Sequence, residues 1–212
     1  MDVEIWSDIV CPWCYIGKRR FEKALAAFPH RDAVTVRYRA FQLDPSAEHE
    51  VRGSRTEALR RKYGMGEDQI ATMDERLERL AAEEGLAYNL AATTLGNTED
   101  AHRLAHLARE HGLEGAMLER LYAAYFSEGR SIFNEDALVA LGVETGLDAD
   151  LVRAMLRSNA FRDTVQAERR AAAELGASGV PFFVVAGRYG VSGAQPPEMF
   201  TEALEKGWEA SR

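Results

Sequence analysis

The sequence predicts an α/β fold made of a β-α-β half and a β-β-α half, with a large all-helical insertion between them. Three observations carry this prediction. Strand-like runs fall near the two ends of the 212-residue chain, at 3–41 and 182–191. From Gly53 to Gly176 the apolar residues recur at helical spacing almost throughout. The only two cysteines, Cys11 and Cys14, stand where the first strand gives way to the first helix. The expected division is an α/β domain over 1–50 and 177–212 and a helical domain over 51–176.

Val3 to Ser7 is an apolar run with strand character, the first strand. Pro12 suits a first helical position, where its missing N–H costs nothing. The helix it opens runs to Phe28 and is stopped by Pro29. Val34 to Phe41 alternates apolar with polar residues and reads as the second strand. In the insertion, Ile70, Met73, Leu77 and Leu80 share one helix face. Leu104, Leu107 and Ala108 share another, ended by Gly112, and Met117, Leu121 and Tyr125 follow as a further helix. Asn134 and Asp148 are expected N-caps, and Asn159 is expected to start a last helix over 161–175. Phe182 to Val185 and Tyr189 to Val191 are two strands joined by a turn at Gly187-Arg188, and 200–208 is the closing helix.

A chain of this length buries an ample core without a disulfide or metal staple. A formal net charge of −8 argues against a nucleic-acid partner, because phosphate binding needs a basic face. No stretch is apolar and long enough to span a membrane, and Met1-Asp2 runs straight into a strand with no basic and apolar leader. The expected location is therefore cytoplasmic, where a permanent disulfide is rare and a cycling one is not.

Two residues between cysteines at a helix start put both sulfurs on one turn, close enough to form a disulfide and break it again. A C-x-x-C between a strand and a helix beside a β-α-β pattern is a thioredoxin-like redox signature. Zinc would need two further ligands at ordered spacing, and haem attachment would need His where Tyr15 stands. Two inert thiols are the remaining alternative. Under the redox reading Cys11 attacks, helped by the peptide N–H groups of the helix start, and Cys14, one turn in, resolves. Pro12 and Trp13 tune the pair.

Cys11-Pro12-Trp13-Cys14-Tyr15-Ile16-Gly17-Lys18, Gly179-Val180-Pro181-Phe182-Phe183, Ser192-Gly193-Ala194-Gln195, and Asn97-Thr98 with Ala101-His102-Arg103-Leu104 together resemble the DsbA family of the thioredoxin superfamily, in its FrnE-like branch. The resemblance spans essentially the whole chain. It implies a thioredoxin-like fold with a helical insertion and a disulfide oxidoreductase or isomerase activity. It also implies a cis Val180–Pro181 bond beside Cys11, with the Val180 backbone open to an extended substrate. Without the resemblance, Pro181 reads as an ordinary trans proline at the start of an edge strand. DsbA carries histidine where this chain has Trp13, which offers no cation. The pair is therefore expected to be less oxidising than DsbA's roughly −120 mV, near about −200 to −230 mV. Thioredoxins carry a buried acid six residues before the first cysteine; here that position is Ile5, with Glu4 and Asp8 nearby but out of register.

Phe41 and Gln42, at the end of the second strand, are candidate substrate contacts. Asn97 and His102 are candidates to line the cleft beside the thiols, against the simpler reading that Asn97 or Thr98 caps a helix. His102 and His106 lack a third ligand, so no metal is expected and an ordinary helix surface is. The expected partners are a disulfide-containing protein or small molecule and a thiol reductant or oxidant, with no nucleic acid and no membrane; a homodimer is left open. No tightly bound cofactor is expected, and glutathione is a candidate co-substrate. The competing function is a glutathione-dependent isomerase or transferase of the 2-hydroxychromene-2-carboxylate isomerase or kappa type. A non-catalytic, chaperone-like binder comes third.

Overall fold

The computed structural model describes residues 1–50 and 53–212. The expected domain boundary at residue 51 lies outside the described residues. The chain packs as two compact units, Met1–Leu43 with Val165–Arg212, and Asp44–Thr164.

The first unit holds a four-stranded sheet in the order β2-β1-β3-β4, with β1 Asp2–Ser7, β2 Thr35–Ala40, β3 Phe182–Val185 and β4 Tyr189–Ser192. β1 and β2 run parallel because helix α1, Pro12–Ala27, makes the crossover between them. β3 returns antiparallel to β1 with Ile5 opposite Phe183, and β4 pairs with β3 through a tight turn. Side-chain alternation splits the core over the two sheet faces. Val3, Ile5, Phe183 and Val185 pack with Phe21 of α1 and with Phe200 and Leu204 of the closing helix Pro197–Ala210. Trp6, Phe182 and Val184 fill the opposite face with Ala172. β3 is buried along its whole length, which is why Phe182 to Val185 reads as continuously apolar and does not alternate.

The residues from Val165 onward belong to this unit, earlier than the residue-177 boundary the sequence suggests. Three contacts, two of them buried, explain it. Trp6 Nε1 donates to the Glu168 carbonyl at 2.9 Å. The Glu168 carboxylate accepts from the Ala40 N–H at 2.7 Å and from Arg39 at 2.9 Å. Arg39 also reaches Glu4 at 2.7 Å. Glu168 is only 6 % exposed, so its charge depends on these donors. Glu168→Ala is expected to cost about 3 kcal/mol, since it strands a buried edge-strand N–H and removes one of the two carboxylates paired with Arg39; urea unfolding measures it.

The second unit is helical: Arg55–Tyr63, Glu67–Glu83, Glu99–Glu110, Glu114–Tyr122, Glu135–Glu144 and Ala149–Arg157. Asn134 and Asp148 do cap their helices, accepting from Ala137 and Leu151 at 2.9 Å each. Two expectations need correction. The helix of Met117, Leu121 and Tyr125 is not continuous, because Ala123–Ser127 widens into a π-helical segment that tucks Tyr125 and Phe126 into the core. The last helix starts at Arg162 and not at Asn159, since Phe161 takes a left-handed conformation (φ 64°) just before it. His102 and His106 correct a third expectation. They are 3 % and 6 % exposed, not a helix surface, and His106 stacks on Phe161. Among the described residues no helix is long and apolar enough to cross a membrane.

Candidate active site

β1 ends at Ser7, and a tight turn carries the chain into α1: the Cys11 N–H donates to the Asp8 carbonyl at 3.1 Å. Cys11 is the N-cap residue, extended at φ −87° and ψ 111°, and the Cys14 N–H donates to its carbonyl at 2.9 Å. Pro12 therefore occupies the first helical position, and the positive end of the helix dipole lies at Cys11. Both cysteines are free thiols, one at the N-cap of α1 and the other in its first turn.

Cys14 is 2 % exposed. Burial pushes its thiol well above the ordinary range, and the hydrogen bond and charge of the Cys11 sulfur push it further. The Asp8 backbone N–H works against this by donating to the Cys14 sulfur, while the Asp8 carboxylate repels a Cys14 thiolate. Cys14 is thus held as a protonated thiol at neutral pH.

Cys11 faces the third segment of the site. Its Sγ donates to the Val180 carbonyl at 3.5 Å, and the Val180–Pro181 peptide bond is cis, as the resemblance implies. Phe41 and Val180 pack on the same Trp6–Phe182 cluster, so the end of β2 and the cis-proline segment share one apolar floor. Trp13 is 37 % exposed next to Cys11. Gln42 is buried at 5 % exposure. Asn97 and His102 belong to the second unit. There Asn97 accepts from the Glu99 N–H at 2.9 Å in a turn just before the helix and donates to the carbonyls of Pro45 and Ala47; the N-cap is Thr98, without a side-chain cap bond, and His102 is core.

Asp8 is out of register with the buried acid of thioredoxins. It is 1 % exposed, and its Oδ2 accepts from the Leu43 N–H at 2.8 Å. The signal that could have found it is an acid at the carboxyl end of the first strand, three residues before a reactive cysteine. Because its charge raises the Cys14 pKa, Asp8→Asn is expected to move Cys14 alkylation to lower pH. The profile is read in a Cys11→Ser background; an unchanged profile contradicts the assignment.

Residues 2–205 match the DSBA-like thioredoxin domain family. The chain is 52% identical to a probable DsbA oxidoreductase of Streptomyces coelicolor, with a TM-score of 0.95 covering 99% of this chain and 90% of that one. Two more distant structures share the fold. A 2-hydroxychromene-2-carboxylate isomerase is 20% identical with a TM-score of 0.75, covering 100% of this chain and 98% of its own. The cytosolic disulfide reductase DsbM of Pseudomonas aeruginosa, solved with GSH, is 21% identical with a TM-score of 0.67, covering 99% of this chain and 100% of its own. A thioredoxin-like sheet, a C-x-x-C pair at a helix start and a facing cis-proline accord with the family match over nearly the whole chain, and the protein belongs to the DSBA-like thioredoxin domain family.

Proposed function

We propose that this protein is a dithiol–disulfide oxidoreductase that exchanges disulfides through Cys11 and Cys14. The observation that carries the reading is the placement of Cys11 and Cys14 within the first turn of α1, with Cys11 against the Val180 carbonyl. In the reducing direction the Cys11 thiolate attacks one sulfur of a substrate disulfide. The S–S bond breaks, one substrate thiolate leaves and takes a proton, and a mixed disulfide forms. Cys14 then gives up its proton and attacks the Cys11 sulfur. The second substrate thiol is released; the substrate's two sulfurs have gained two electrons and two protons, and the pair that lost them is left as a Cys11–Cys14 disulfide. The raised pKa of Cys14 keeps it protonated until the mixed disulfide forms, which supports Cys11 as the first attacker. An intact pair supports this chemistry over a glutathione-dependent isomerisation, which needs no second thiol. In the cytoplasm, the location proposed here, a thiol such as glutathione resets the pair as a co-substrate, with no cofactor held between turnovers.

Insulin disulfide reduction driven by dithiothreitol tests the reading. Wild type is expected to accelerate precipitation of the insulin B chain over the uncatalysed control. A rate equal to the control contradicts it.

A further inference from the structure

Cys11, Cys14, Gly17 and Arg20 follow one another at three-residue steps, so each neighbours the next across one turn and the row winds around α1. The first two carry the exchange. The structure shows what the second two touch. A Cβ built on Gly17 would lie 2.9 Å from Cγ of Pro181 and 3.5 Å from Cα and Cβ of Ala194. Arg20 Nη1 donates to the Ala194 carbonyl at 2.7 Å. The two contacted segments are themselves tied together, since the Gly193 N–H donates to the Pro181 carbonyl at 2.8 Å.

Glycine inside a helix is destabilising relative to alanine, so its presence at Gly17 calls for a packing reason. Here the reason is close approach: Pro181, just before β3, and Ala194, just after β4, sit where a side chain would be. Arg20 then pins the Ala194 end from the next turn of the helix. Next to Pro181 is Val180, whose carbonyl receives the Cys11 thiol.

We propose that Gly17 and Arg20 are positioning residues that hold the 180–194 backbone in register with Cys11, and thereby favour extended peptide disulfides over small ones. This deepens the oxidoreductase reading and stands on it. An extended chain that adds to the Val180 backbone, as in strand addition, feels any shift of that backbone. A small disulfide needs only the Cys11 sulfur.

The test measures kcat and KM for two substrates, a disulfide-linked extended peptide and bis(2-hydroxyethyl) disulfide, with Gly17→Ala, Arg20→Met and Arg20→Lys. Gly17→Ala and Arg20→Met are expected to raise the peptide KM roughly tenfold, with kcat/KM for the small disulfide changing less than about twofold. Arg20→Lys, which still offers a donor to the Ala194 carbonyl, is expected to recover most of the peptide KM. Should Gly17→Ala fail to fold, the two Arg20 variants decide. A peptide KM unchanged in Arg20→Met, or an equal loss on both substrates, overturns the proposal while leaving the oxidoreductase reading in place. A wild type that turns over neither disulfide overturns both.

Discussion

Cys11→Ser is expected to abolish disulfide exchange, with a fall in kcat/KM on the order of a thousandfold or more. The serine hydroxyl still offers a donor toward the Val180 carbonyl but cannot form a mixed disulfide. Both residues are buried, Cys11 at 4 % and Cys14 at 2 % exposure, but Cys14 cannot take over, because its thiol is held protonated by burial and by its neighbours. A thousandfold fall corresponds to about 4 kcal/mol of lost transition-state stabilisation. The same variant separates the competing functions. A glutathione-dependent isomerase without a redox pair would keep turning over an aromatic substrate, and a chaperone-like binder would keep holding unfolded chains. Insulin reduction that survives in Cys11→Ser contradicts the assignment of the attacking thiol.

The thiol half of the site was legible because its signals are local. A strand, a proline and two cysteines within a few residues fix the turn and the helix start together, and the resemblance then supplied Pro181 from the far end of the chain. What the sequence did not show depends on tertiary contact. Asp8 acts on Cys14 through a backbone turn, so counting residues back from Cys11 in the thioredoxin register misses it. His102 and His106 share the helical spacing of a surface pair, yet the helix Glu99–Glu110 is buried along most of its length, and only packing reveals that. The Glu168 clasp on Ala40 joins residues 128 positions apart, which no sequence periodicity encodes.

Arg103 belongs to the same class, and it carries the second large prediction. It is fully buried, and its guanidinium donates to the carbonyls of Met155, Leu156, Ser158 and Ala160 and to Asp100 at 2.5 Å. These carbonyls lie at and just beyond the end of the helix Ala149–Arg157, where the last turn has no intrahelical donors of its own. One side chain thus caps a helix and anchors the chain after it. Arg103→Met keeps much of the volume and removes every donor. The stranded carbonyls and the Asp100 carboxylate are expected to cost about 3–5 kcal/mol. That is a large share of the roughly 5–15 kcal/mol that keeps a domain folded. Urea unfolding followed by circular dichroism should show a markedly lower midpoint. A loss under about 1 kcal/mol would mean that solvent replaces the guanidinium without difficulty.

The central claim is that Cys11 and Cys14 cycle together as one two-electron couple. Equilibration against a series of glutathione redox buffers, with thiols trapped by acid and counted by alkylation, tests it directly. Both thiols should disappear in a single transition into an internal disulfide, with a midpoint near about −200 to −230 mV. Loss of the thiols in two separate steps, or glutathione adducts with no internal disulfide at any potential, would contradict the account.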